Sequence, residues 1–103
     1  MLWRIGLALL ITGRVLAESI SPSLERQQTL LNMLKHDCGS CHGLNLKGGL
    51  GPALHHEALS HKSNDLLLRT IQEGRKGTAM PPWKKFISKQ ETLWLIEYLR
   101  KNN

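Results

Sequence analysis

Asp37-Cys38-Gly39-Ser40-Cys41-His42-Gly43 is the stretch on which the reading of this chain turns. Two cysteines three apart, followed at once by a histidine, form the attachment pattern of c-type haem. The spacing has a physical reason. On a helical turn, residues three apart share one side, so both thiols can reach the two vinyl groups along one porphyrin edge while the adjacent imidazole meets the iron. Cys38, Cys41 and His42 are therefore the first candidate cofactor-binding residues, and one covalent haem c is the expected cofactor. A disulfide between the cysteines would close too small a loop to restrain much chain. A thioredoxin-like redox pair would need a βαβ setting, and no alternating strand pattern occurs. A zinc site is the sharper rival, because Cys38 and Cys41 with His55 or His56 and then His61 fit a zinc-ligand spacing. It would leave His42 without a role, and the intervening residues are glycine-rich rather than finger-like.

Working upstream, Met1 to Ala17 combine an early arginine, an apolar run from Ile5 to Ile11 and small residues at the end, the parts of a cleavable export signal. The expected organisation is a signal peptide over 1–17 and a single domain over 18–103, located in the periplasm. Export suits the motif, since haem attachment of this kind takes place outside the cytoplasm. The 103 residues carry 14 basic and 8 acidic groups, a formal +6, and loss of Arg4 and Arg14 with the signal leaves +4. No later apolar run approaches the roughly 20 residues a bilayer crossing requires, so no stable membrane anchor is expected. One short domain excludes a multidomain enzyme, an integral membrane protein and a nucleotide-binding α/β fold. Trp83, Phe86, Trp94 and Tyr98 are the only aromatic residues after Ala17. Domains this small and this poor in aromatics usually draw on disulfides, a metal or a cofactor to complete their centre.

The pattern predicts an all-α fold. Ser21 and Pro22 look like a cap and a first helical position, with Leu24, Leu30, Leu31 and Leu34 on one arc and an end near Lys35. Five glycines between Gly39 and Gly51 predict loop, apart from a turn at the cysteines. Ser63 is placed to cap a second helix ending at Gly74. Leu66, Leu67, Leu68, Thr70 and Ile71 cover one side of it, and Asp65, Arg69, Gln72 and Glu73 the other. Gly77, Pro81 and Pro82 keep residues 75–87 irregular. Ser88 and Glu91 spell a capping box for a last helix to about Lys101, with Trp94, Leu95, Tyr98 and Leu99 on its apolar arc.

An iron with one histidine needs a sixth ligand if it is to carry electrons rather than bind small molecules. Met33 and His36 lie on the helix that leads into the attachment turn, too close to reach the opposite haem face. Met80, in Gly77-Thr78-Ala79-Met80-Pro81-Pro82-Trp83, is on a proline-stiffened stretch long enough to wrap around. A methionine alone reads more simply as core filling; beside the motif, Met80 becomes the second candidate metal ligand after His42.

Taken together, the motif near the domain start, Gly51-Pro52-Ala53-Leu54, the helix ending Ile71-Gln72-Glu73-Gly74, Met80-Pro81 and the aromatic last helix resemble a class I c-type cytochrome across 18–103. Within it, Arg26-Gln27-Gln28, Asp37 to Gly43, Gly48-Gly49-Leu50-Gly51-Pro52-Ala53-Leu54 and Gly74 to Trp83 are most similar to the small NirC-type, cytochrome c55X-like proteins of denitrifying bacteria. The resemblance implies helices and long loops wrapped around one haem, with the first and last helices crossing near its edge. It also implies that the Pro52 carbonyl accepts the Nδ1 proton of His42, and that Leu54 and Trp83 join the cofactor-binding set. His55 and His56 receive no role from it and are expected to be solvated.

The span from Gly74 to Gln90 holds Arg75, Lys76, Lys84, Lys85 and Lys89 and no acid. A charge run is often just a solvated face, but this one brackets Met80, where it would steer an acidic partner. An exported haem protein has no use for nucleic acid. The expected protein is thus a monomeric, non-enzymatic one-electron carrier. The resemblance implies cytochrome cd nitrite reductase as its acidic periplasmic partner. An accessory electron-transfer role in maturing that enzyme's d-type haem is an alternative, and a gas-binding or peroxidatic haem protein would require Met80 to be absent or labile.

Overall fold

Residues 21–102 are described by a computed structural model, and every regular element among them is helical. Residues 1–17, expected to be an export signal, lie outside the described residues.

The first helix, α1 (Leu24–Met33), begins two residues later than the Ser21-Pro22 reading places it. Ser23 is the cap, its Oγ accepting from the Arg26 amide at 3.1 Å. Pro22 stands outside the helix, where its carbonyl accepts from Gln27 Nε2. Nor does the helix stop near Lys35. It widens into one π-helical turn, Leu34–Cys38, in which the Gly39 amide reaches back five residues to the Leu34 carbonyl, and continues as α2 (Gly39–His42). The turn expected at the cysteines is therefore a continuation of the first helix, helical through His42, and the loop begins at Gly43. A glycine inside a helix costs only about 1 kcal/mol, and Gly39 is buried in this turn.

From Gly43 the chain folds back beneath α2. The Gly48 amide donates to His42 O and the Gly51 amide to Cys41 O, each at 2.8 Å. These bonds satisfy carbonyls that a helix C-terminus leaves without partners. A short helix absent from the sequence reading, α3 (His56–Leu59), follows. His55 caps it, Nδ1 accepting from the Ala58 amide, and His56 Nδ1 bonds Arg100 O at 3.0 Å. These two histidines are structural rather than merely solvated. Arg100 completes the tie, donating to Leu59 O, Lys62 O and Asn64 Oδ1.

The remaining helices follow their capping signals. In α4 (Asn64–Glu73) Ser63 Oγ accepts from the Leu66 amide, and Gly74 ends the helix at φ +70°. In α5 (Lys89–Asn102) Ser88 and Glu91 close the capping box from both sides, at 3.0 and 2.9 Å. Leu30 and Leu34 meet Leu46, Leu59, Ile87, Leu95 and Leu99 in the core, with Trp94 and Tyr98 stacked at its edge. Arg26 locks α1 to the start of α5 through an ion pair with Glu91 and a 2.9 Å bond to Phe86 O. Gln72 departs from the helical-wheel reading. It faces inward and is buried, at 6 % exposure.

Candidate haem site

One cavity of about 680 Å³ runs between these elements, within the range of small-molecule and cofactor sites. Cys38, Cys41, His42, Pro52, Leu54, Met80 and Trp83 all line it. The walls are largely apolar, from Leu59, Leu67, Ile71, Ile87, Leu95 and Leu99, and Asp37, Lys62 and Arg75 are the charged residues among them. Met33 lines it too, from the same helix that delivers the cysteines.

His42 is the last residue of α2 and its ring is tightly placed. Nδ1 stands 2.7 Å from Pro52 O. A carbonyl can only accept, so Nδ1 carries the proton and Nε2 keeps a lone pair for a metal, the usual way an outer hydrogen bond fixes a ligating imidazole. Gly51 is required beside it: a Cβ there would lie 2.8 Å from both Nδ1 and Cε1 of the ring.

Met80 arrives on a strap, residues 74–88, laid along the end of α4. Carbonyls of the last turn of α4 are its anchor, Ile71 O accepting from Trp83 N at 3.0 Å and Gln72 O from Lys84 N at 3.3 Å. At the strap's start the Arg75 amide donates to Met80 O, and Thr78 Oγ1 donates to Arg75 O. Gly74 permits this, since a Cβ on it would fall 2.6 Å from Met80 O and its φ of +70° suits glycine. Trp83 then lies between cavity and surface, in tilted contact with Phe86 at 5.7 Å between ring centroids.

Burial, with the Asp37 charge added, pushes the Cys38 thiol up to about 11. A redox-active dithiol works through a low-pKa thiolate, so the geometry opposes that rival. The zinc reading fails as well. No group of three metal-ligating side chains occurs among the described residues, and His55 and His56 are engaged elsewhere. The residues present fit haem instead: two thiols and one oriented imidazole at the mouth of an apolar cavity, with a thioether entering from another element.

Residues 25–99 match the family model described as cytochrome c oxidase, cbb3-type, subunit III. Cytochrome c55X of Stutzerimonas stutzeri is 50 % identical over 84 residues, which cover 82 % of this chain and 74 % of that one. The chain belongs to the cytochrome c55X family of c-type cytochromes. Its cofactor is accordingly one covalent haem c, and it is an electron carrier. Among solved structures, a c-type cytochrome NirC aligns at 46 % identity and a TM-score of 0.77, over 80 % of this cytochrome and 96 % of that chain. A dihydro-heme d1 dehydrogenase NirN, in complex with DHE, aligns at 27 % identity and a TM-score of 0.64, over 71 % of this chain but only 16 % of its own. No helix among the described residues is long and apolar enough to cross a membrane.

Gln72 is the residue the sequence reading missed. A helical wheel counts any glutamine as solvent-facing, and only its place four residues after the half-buried Leu68 hinted otherwise.

Proposed function

We propose that Cys38 and Cys41 form the thioether links to haem, that His42 and Met80 are the axial ligands, and that Pro52 orients His42. Leu54 and Trp83 pack against the porphyrin. The observation that carries this reading is that a proton-fixed imidazole and a thioether from separate elements line the same cavity as both thiols. Haem iron supplies a one-electron Fe(II)/Fe(III) couple, and a methionine ligand raises its potential. With both axial positions filled by protein, the cytochrome turns over no substrate of its own.

On this reading the protein is exported to the periplasm and donates electrons to cytochrome cd nitrite reductase during denitrification. Likeness to cytochrome c55X and NirC supports that assignment. One observation favours a second partner. NirN, which shares this fold over a small part of its length, is a dihydro-heme d1 dehydrogenase, and a dehydrogenase needs an electron acceptor, so a role in d-type haem maturation also fits. A deletion strain separates the two. Donation leaves reductase that is fully loaded with d-type haem and regains activity with an artificial donor. A maturation role leaves reductase lacking that haem, which no donor rescues. Stopped-flow oxidation of the reduced cytochrome by purified reductase accompanies the strain, because redundant carriers would mask the first phenotype. Slow oxidation together with normal haem loading would defeat both assignments.

A further inference from the structure

Gln72 and Thr92 are the two buried polar residues among those described, at 6 % and 0 % exposure, and they touch each other. Gln72 Nε2 stands 2.7 Å from Thr92 Oγ1, 3.0 Å from Ile87 O and 3.4 Å from Ser88 O. Two amide protons face three acceptors, so the two shorter contacts take them. Thr92 Oγ1 sends its own proton to Ser88 O at 2.8 Å, which leaves its lone pairs for Gln72.

These bonds have a particular position in the chain. The strap leaves α4 just after Gln72 and rejoins α5 at Ile87 and Ser88, so one side chain bonds the strap's exit to its return. Both banks are firm. On one side the Gln72 backbone carbonyl and that of Ile71 hold Lys84 and Trp83; on the other, Ile87 is in the core and Ser88 is fixed in the capping box. Between them the strap has its own turn bonds, Gly74, the surface ion pair of Lys84 with Glu73 and the Arg26 bond to Phe86 O. An apolar residue at position 72 would leave the Ile87 carbonyl a buried acceptor without its donor, which costs more than an exposed bond.

We infer that Gln72 is a positioning residue that latches the Met80 strap. Its amide keeps residues 74–88 closed over the cavity and so sets how often the haem face opens to outside ligands. This rests on the proposed coordination only in taking Met80 as the group displaced when the strap opens.

The test uses the ferric holoprotein. Gln72→Met keeps length and removes the donor, Thr92→Val removes the acceptor, and Leu30→Val trims the core away from cavity and strap. Cyanide binding is measured at saturating cyanide, where opening limits the rate. Hydrogen exchange of the Trp83 and Lys84 amides and global unfolding are measured alongside. Gln72→Met should raise the opening rate at least about tenfold, because it removes both amide bonds and one buried hydrogen bond alone is worth about that much, and expose both amides to a similar degree. Thr92→Val should act in the same direction, with the double variant falling short of the product because the two share a bond. Leu30→Val should lower stability and move neither. If Gln72→Met changes opening no more than Leu30→Val does, the latch is refuted. If Gln72→Met does not accumulate, Thr92→Ser and Thr92→Val decide: the serine variant, which keeps the hydroxyl, should open like wild type, and equal opening in both overturns the inference. A wild type lacking the sulfur-to-iron band would remove Met80 as ligand, while the two amides would still report on the latch.

Discussion

His42 and Met80 reach the cavity under different degrees of constraint. His42 ends a continuous helical run, bonded at Nδ1 and flush against Gly51. Met80 depends on strap amides that donate to carbonyls at the end of α4 and on one glycine. Of the two, the methionine side is the one that should yield. Met80→Ala is expected to abolish the weak red sulfur-to-iron band of the ferric protein and to let carbon monoxide or cyanide bind readily, read by absorption spectroscopy and ligand titration. Wild type that already binds carbon monoxide quickly at neutral pH would return the gas-binding reading. Cys38, Cys41 and His42 were legible as one cavity-lining group because haem attachment tolerates one spacing and few substitutes. Gln72 was illegible because its burial is decided by residues fifteen to twenty positions away, Ile87 and Thr92, which no local period reports.

At the scale of elements, the caps of α4 and α5 were readable, that of α1 was misplaced by two residues, and interiors were less readable still. Ser63 and the Ser88–Glu91 box act through contacts three residues apart, a distance sequence alone can see. The extension of α1 through the π-turn to His42 was not readable, because it depends on the loop that folds back and satisfies Cys41 O and His42 O. Nor was α3, whose anchor is Arg100 at the far end of the chain. The α1–α5 lock is likewise long-range and carries a pH signature. Hydrogen bonding from Arg26 holds the Glu91 carboxyl below its ordinary value of 4.5. A depressed acid stabilises fully above its unfolded pKa and loses that contribution as pH falls through the folded value. Glu91→Gln should therefore unfold at lower temperature than wild type near neutrality, with the gap closing as the pH drops below about 4.5. The lock is partly exposed, so the gap should amount to no more than about 1 kcal/mol. Thermal melts across pH test this, and a gap that persists in acid would assign the effect to the cap rather than the ion pair.

Across the whole molecule, charge and cavity are arranged around the same strap. The acid-free span from Gly74 to Gln90 carries five cations, but they are not equivalent. Lys84 is paired with Glu73 at 3.1 Å and is locally compensated, whereas Arg75, Lys76, Lys85 and Lys89 have no acidic partner among the described residues. Arg75 lines the cavity itself, and Lys85 sits beside Phe86, whose ring touches the cavity-lining Trp83. An acidic partner drawn to these charges would approach on the side where Met80 and Trp83 line the cavity. Steering of this kind acts on the association rate and weakens as salt shortens the Debye length to about 8 Å at physiological ionic strength. The second-order rate constant for electron transfer to the proposed partner reductase should then fall steeply with added salt. Lys85→Glu with Lys89→Glu should slow it at low salt while leaving the haem spectrum unchanged, and the difference from wild type should shrink as salt is raised. Rates indifferent to both salt and charge reversal would reduce the basic span to a solvated surface, and a spectral change in the double variant would mean that the substitutions had disturbed the strap rather than the encounter.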